Sequence, residues 1–317
     1  MLLVLLVFAS MVSAKKNSID FETDISKNLF ALAKSSDTSG EEVDDVKYVM
    51  LLASLADTIE RLHEQLATRD SAGRTPCHVA ALVGMPVVLE ALLINGGKKM
   101  PECMRQPDKN GRTTLHLAVE SVDGSAGKKI GIMQNWGGWV DVPDGEGATP
   151  LHLAAQMGRV DAVKALASYG AALNALAGPA HTPLHLAALQ GEYGALRALI
   201  VAGADLNLPD QTGYTPLHLA TIKFKPSCIR ALAEAGANLE AQADFGDEKG
   251  NGATALQVAV KLGCTPCVVS LVEAGADIDT EAGGMTPLEL AGADENMLLA
   301  LTMTKKKAKE ELVKDEL

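Results

Sequence analysis

A six-residue block recurs seven times along this chain, and this repetition constrains the fold more than any other feature. Each copy is a version of Thr-Pro-Leu-His-Leu-Ala, and the last two copies carry Gln257 and Glu289 in place of the histidine. The copies begin at intervals close to 33 residues, at Thr75, Thr113, Thr149, Thr182, Thr215, Thr254 and Thr286. Because one short unit cannot bury its own apolar residues, such a period predicts an array of stacked units.

The residues of the block are typical of the start of a helix. Thr is a favourable N-cap, Pro suits the first helical position, and the Leu and Ala that follow share one helix face. Two residues before the threonine stands a glycine, where we expect turns with positive φ, with Ala180 as the exception. These glycines are Gly73, Gly111, Gly147, Gly213, Gly252 and Gly284. A second set, consistent with helix C-caps, is Gly96, Gly137, Gly170, Gly203, Gly236 and Gly275. Aspartates five residues before the threonine suit the same turns, at Asp70, Asp108, Asp144 and Asp210.

Seven such copies closely resemble the ankyrin-repeat family over residues 70–301. The resemblance implies an all-α solenoid of stacked helix-turn-helix units with β-turn loops. The last copy leaves no room for a full following repeat, so we interpret it as a C-terminal cap. The resemblance also implies that the motif histidines bond backbone groups of neighbouring turns, at His78, His116, His152, His185 and His218. Packed helices lie about 10 Å apart, which is too far for these imidazoles to share one metal ion. We therefore predict no metal site and no cofactor.

Residues 15–69 precede the array and show helical apolar spacing over 28–34 and 42–66. We interpret them as a helical N-terminal cap that looks like a degenerate ankyrin repeat. A separate helical hairpin is the alternative.

The two ends of the sequence predict one compartment. Residues 1–14 resemble a secretory signal peptide, with an apolar run followed by small residues that fit cleavage after Ala14. A buried N-terminal helix is the alternative. A charged tail over 302–317 ends in the tetrapeptide of retrieved endoplasmic reticulum proteins, Lys314, Asp315, Glu316 and Leu317. We expect a protein of the endoplasmic reticulum lumen that the KDEL receptor recognises.

Cys264 and Cys267 form a CxxC motif at the expected start of a second helix. A helix N-terminus favours a thiolate, which is the arrangement of thioredoxin-like redox sites. Against this, Cys267 falls where the repeat needs a small apolar core residue, and no thioredoxin-like βαβ pattern surrounds it. The sequence favours core thiols, able to form a local Cys264–Cys267 disulfide, over redox catalysis.

Ankyrin relatives bind proteins through their turn tips and the exposed side of each first helix. Carried over by position, the candidate protein-binding residues here are Arg74, Leu82, Arg112, Met157, His181, Leu189, Tyr214, Ile222, Lys223 and Met285. Several are apolar where solvent is expected, which is typical of a binding face. Trp136 and Trp139 flank the glycines that close the second repeat, where the family usually has small or polar residues, and are added as candidate hot spots. Packing of these tryptophans against the neighbouring long loop is the alternative.

Composition limits the function. A net charge of −12 argues against nucleic acid as a partner, and no stretch reaches the ~20 apolar residues of a membrane span. The usual catalytic motifs are missing, so we expect no enzyme. We predict a non-catalytic protein-binding module or adaptor in the endoplasmic reticulum lumen. The alternatives are a thiol-disulfide oxidoreductase that uses Cys264 and Cys267, and a cytosolic ankyrin scaffold if residues 1–14 are not a signal.

Overall fold

The computed structural model describes residues 69–83, 86, 89–90, 104–122, 124–244 and 252–302. The chain divides into two compact units, the first comprising Met1–Lys109 and Thr113–Gly138 and the second Asn110–Arg112 and Trp139–Leu317. The predicted signal peptide, nearly all of the predicted cap and the retrieval tetrapeptide lie outside the described residues.

In the first unit the described helices with both ends defined are α1 (Pro76–Val83), α2 (Thr114–Glu120) and α3 (Ala126–Asn135), and residues 86, 89–90 and 104–105 are helical as well. Helix α2 packs against both α1 and α3. Lys129 of α3 is fully buried, and its ammonium group donates a hydrogen bond to the Ala81 carbonyl of α1 at 2.9 Å. A buried polar group of this kind is stable only when it is hydrogen-bonded.

The described part of the second unit consists of successive helix pairs. The helices are α4 (Pro150–Gln156), α5 (Val160–Ser168), α6 (Pro183–Gln190), α7 (Tyr193–Ala202), α8 (Pro216–Ile222), α9 (Pro226–Glu234), α10 (Ala255–Lys261), α11 (Thr265–Glu273) and α12 (Pro287–Ala291). Residues 295–302 are also helical. The described residues contain no strand, only three isolated β-bridges between turn residues.

These helices form two layers. The first helices α4, α6, α8, α10 and α12 pack side by side, and the second helices α5, α7, α9 and α11 do the same. Small side chains fill the space between the layers, such as Ala154, Ala155, Ala187 and Ala188, none of which is exposed. Helices of seven to ten residues are marginal alone in water, so burial between layers stabilises them.

The predicted helix starts are confirmed. Six threonines are N-caps with extended backbone, at Thr113, Thr149, Thr182, Thr215, Thr254 and Thr286. Proline occupies the first turn wherever the block supplies it in the second unit. No helix in the described ranges is long and apolar enough to cross a membrane.

The turn before each threonine is left-handed at five of the six predicted glycines, whose φ lies between 76° and 84°. Ala180, which replaces the glycine in one repeat, keeps the same backbone with φ 59°. The prediction for Gly252 is wrong, because it does not have positive φ. Next to Gly252, Ala243 and Ala253 pair as a β-bridge. Glycine is still required, since a Cβ would approach the Gln242 Cβ to 2.7 Å.

Candidate functional site

The motif histidines of the second unit join each first helix to the turn of the next repeat. The backbone N–H of Thr182 donates to Nδ1 of His185 at 3.1 Å, so the ring proton lies on Nε2. This Nε2–H donates to the carbonyl of Tyr214, one repeat later, at 3.1 Å. His152 and His218 repeat the arrangement, with Nε2 at 3.0 Å from the Ala175 carbonyl and 3.1 Å from the Ala253 carbonyl. The bonding implied by the family resemblance is therefore present.

Burial keeps these imidazoles neutral. Burial, reinforced by the neighbouring His181, lowers the pKa of His185 to about 4. Burial likewise lowers the pKa of His152 and His218. In the described part of the chain, no group of three His, Cys, Asp or Glu side chains is placed to hold a metal ion. The three histidines act as positioning residues for the turns.

The two altered copies of the motif show what this position requires. Gln257 Oε1 accepts from the Thr254 N–H at 3.0 Å, and its Nε2 donates to the carbonyls of Ala282 and Met285 at 3.0 and 2.7 Å. Glutamine thus supplies one acceptor and one donor, as a neutral histidine does. Glu289 accepts from the Thr286 N–H at 2.8 Å, but a carboxylate has no proton to donate to a following turn.

Aspartates hold the turn tips in place. Oδ1 of Asp144 accepts from the N–H groups of Glu146 and Ala148, both at 2.9 Å, and Asp70 does the same for Ala72 and Arg74. Burial alone would raise the pKa of Asp210 in the equivalent turn, but hydrogen bonds from Thr212 and Tyr214 lower it below its usual value. The same hydrogen bonds that lower the pKa of Asp210 stabilise its turn when the carboxylate is ionised.

A second set of hydrogen bonds between successive repeats was not predicted from the sequence. Side-chain oxygens of Asp141, Asn174, Asn207 and Glu240 each accept the backbone N–H at the same place in the next repeat, at 2.8–2.9 Å. The four residues are spaced 33 apart in the sequence, and this regular spacing was the signal that could have revealed them.

The candidate protein-binding residues of the second unit lie at the turns and at the C-terminal ends of the first helices. Trp139, Met157 and Met285 are 59%, 41% and 50% exposed, and Lys223 is exposed as well. Partly exposed members in this unit are Arg112, His181, Leu189, Tyr214 and Ile222. In the first unit, Arg74, Leu82 and Trp136 are partly exposed. Their role in binding stays a prediction.

His181 contributes less open surface than its turn position suggested. Its Nε2 lies 3.3 Å from Asp210 Oδ2, and its side chain is only 16% exposed. The ring stacks on that of His185, with centroids 5.7 Å apart. His181 thus packs against the motif histidine as well as bordering the turn.

Cys264 and Cys267 form a disulfide bond at the start of α11. Neither residue is accessible, with exposures of 4% and 0%. A substrate thiol must reach a sulfur atom for exchange, so this burial argues against the redox alternative.

Cys77 of the first unit is also disulfide-bonded and buried. Cys228, one repeat before Cys267 at the same helical place, is a buried free thiol whose pKa burial raises to about 11.

Comparisons with known proteins agree with this architecture. A model of three ankyrin repeats matches residues 170–243, and a single-repeat ankyrin model matches 146–177 and 251–281. The mouse protein NF-kappa-B inhibitor delta is 34% identical over 105 residues, which are 32% of this chain and 29% of that protein's length.

Two solved structures share the fold. The ankyrin repeat domain of Bcl-3, described as a unique member of the IkappaB protein family, is 27% identical with a TM-score of 0.62, covering 73% of this chain and 99% of that one. The human ASB11 ankyrin repeat domain, 24% identical with a TM-score of 0.56, covers 73% of this chain and 98% of its own. The chain contains ankyrin repeats, and the predicted all-α ankyrin-repeat fold is confirmed.

Proposed function

We propose that this chain is a non-catalytic protein-binding module that works in the lumen of the endoplasmic reticulum. The observation that carries the binding function is the exposure of apolar side chains along the turns and first helices of the second unit. Trp139, Met157 and Met285 are each at least 41% exposed there. Ankyrin repeats generally serve as binding surfaces, and large exposed apolar groups are typical of interaction sites.

The scaffold beneath these side chains is preorganised for binding. His185 and His218 fix the turns of the following repeats, and Asp144 and Asp210 fix the tips. A surface that loses little conformational entropy on association binds more tightly than a flexible one of equal area. We therefore expect affinity to depend on the exposed side chains, with little rearrangement of the backbone.

Three features support the luminal location. Residues 1–14 resemble a signal peptide, and the KDEL receptor would recognise Lys314–Leu317. Disulfides are rare in the reducing cytosol, and both the Cys264–Cys267 pair and Cys77 are disulfide-bonded.

A cytosolic scaffold that binds NF-kappa-B is the second candidate function. The similarity to NF-kappa-B inhibitor delta and to Bcl-3 favours it. The two candidates differ in compartment, so localisation separates them before any partner is known.

Two experiments test the location. Fusion of residues 1–20 to a reporter should carry the reporter into the secretory pathway, and removal of Lys314–Leu317 from the full chain should cause its secretion. A reporter that stays in the cytosol would reject the luminal proposal and favour the cytosolic scaffold.

Proximity labelling with the full chain tests the binding surface. Trp139→Ala and Tyr214→Ala should each remove a shared set of labelled neighbours, while Val201→Ala should not. Val201 is a suitable control because it is 82% exposed on a second helix, outside the first-helix layer. If all three variants label the same neighbours as the unchanged chain, the surface is assigned incorrectly.

A further inference from the structure

Phe224 has an unusual backbone conformation. Its φ is 56°, in the left-handed region that bulky residues avoid. The equivalent residues of three other repeats in the second unit are Gly158, Gly191 and Gly263, all with positive φ. Three repeats thus satisfy the same turn with glycine, and the fourth holds a phenylalanine there at a conformational cost.

Burial of the Phe224 side chain does not offset this conformational strain, because the residue is 50% exposed. Phe224 lies two residues after the end of α8, at the end of the first-helix layer where Met157, Leu189 and Ile222 are also partly or fully exposed. These residues stand at the C-terminal ends of α4, α6 and α8, which pack side by side. Together with Phe224 they form an apolar strip that crosses three repeats.

Charge is divided between the two edges of this unit. The helices of each pair are antiparallel, so the short loops within pairs lie at one edge and the long loops between pairs at the other. The described long-loop residues carry Arg112 as their one Lys or Arg against ten carboxylates, namely Asp141, Asp144, Glu146, Asp205, Asp210, Glu240, Asp244, Asp277, Asp279 and Glu281. The short loops of the described residues carry Arg159, Lys223 and Lys225 against two acids, Glu192 and the more distant Asp294 of the last pair.

The two lysines that flank Phe224 make its surroundings cationic. Lys223 is exposed, and the stem of Lys225 lies over Gly191, where a Cβ would collide with its Cδ and Cε. Neither lysine forms an ion pair with a carboxylate of the described residues. Phe224 is thus an exposed aromatic residue between two cations, in a chain whose net charge is −12.

From this arrangement we infer that the apolar strip docks an extended acidic peptide segment, with an apolar side chain against Phe224 and carboxylates at Lys223 and Lys225. Charge complementarity supports an acidic partner at this strip, because the two lysines attract carboxylates. The carboxylate-rich edge repels an acidic segment, so the lysine edge is where such a segment would bind. A strip that crosses three stacked repeats spans ~25 Å, which suits about eight extended residues. The inference rests on the proposed protein-binding function and names the chemistry of the partner.

Purified full chain and fluorescent peptides of about ten residues test the inference. Three peptide sets place a central Leu-Phe pair among glutamates, glutamines or lysines. The acidic set should bind most tightly, and the paired change Lys223→Glu with Lys225→Glu should weaken it about tenfold or more. Vesicles containing anionic lipid are tested beside the peptides.

Phe224→Gly is the decisive variant, because removal of the strained backbone should leave the thermal midpoint equal or higher while acidic-peptide binding falls about tenfold. Ala180→Gly is the matched control, since it relieves a left-handed alanine at the opposite edge and should leave binding unchanged.

Four results would overturn the inference: unchanged binding by Phe224→Gly, preference for the lysine set, no peptide binding, or binding to vesicles alone. Persistence of Trp139- and Tyr214-dependent proximity labelling in any of these cases would retain the proposed function and reject only this site.

Discussion

Exchange of His185 for glutamine should remove acid sensitivity from one repeat without weakening the fold near neutral pH. The structure supplies the template, since Gln257 makes the equivalent donor and acceptor bonds in a later repeat. At pH 7 the variant should therefore match the unchanged chain to within about 1 kcal/mol in free energy of unfolding.

The expected pH dependence follows from the two pKa values of His185. The folded pKa is about 4 and the unfolded value 6.5, so the unfolded chain binds more protons between them. The contribution of the neutral His185 to the free energy of unfolding is present in full above pH 6.5 and is lost as the pH falls toward 4. The loss is about 3 kcal/mol in total and about 2 kcal/mol at pH 5. His185→Gln should escape this loss, so its advantage over the unchanged chain should grow by about 2 kcal/mol between pH 7 and pH 5.

Urea unfolding followed by circular dichroism at pH 7, 6 and 5 measures the difference. The reciprocal change Gln257→His is the control, because it should introduce the acid sensitivity that His185→Gln removes. Equal slopes of stability against pH in all three proteins would refute the assignment of a neutral, buried His185.

Three further changes test the turns. Ala180→Gly should raise stability by about 1 kcal/mol in thermal unfolding, because glycine adopts a φ of 59° without strain. Gly111→Ala should lower it by at least about 2 kcal/mol in the same assay, since its Cβ would collide with the backbone nitrogen of Gly145. Asn207→Ala should cost about 1 kcal/mol in urea unfolding through the lost bond to the Asn238 N–H, and an unchanged midpoint would show that water replaces this bond.

The helix starts and the histidine bonds were predictable because the motif contains both partners or repeats them at a fixed interval. Thr182 and His185 are three residues apart, and the turn that receives the Nε2 proton recurs one period later. Local chemistry and periodicity thus determine this part of the fold.

Backbone exceptions were harder to predict. Nothing about an alanine or a phenylalanine suggests positive φ, and only the register of the repeats shows that Ala180 and Phe224 occupy glycine positions. Gly252 shows the opposite case, because a glycine stands at the expected position without positive φ. Surface exposure also depends on neighbouring repeats, and for this reason the partial burial of His181 was not foreseen.

The histidine bonds of the second unit all run in one direction, from a first helix to the turn that follows it in the chain. During synthesis, the Nε2–H of each repeat therefore has no acceptor carbonyl until the next repeat has been made and has folded. If translation stops within the array, the most recently made first helix has a ring nitrogen without a hydrogen-bond acceptor. In every earlier repeat this hydrogen bond has already formed. Chaperones that screen nascent chains would meet this incomplete edge at the C-terminal side of the growing stack.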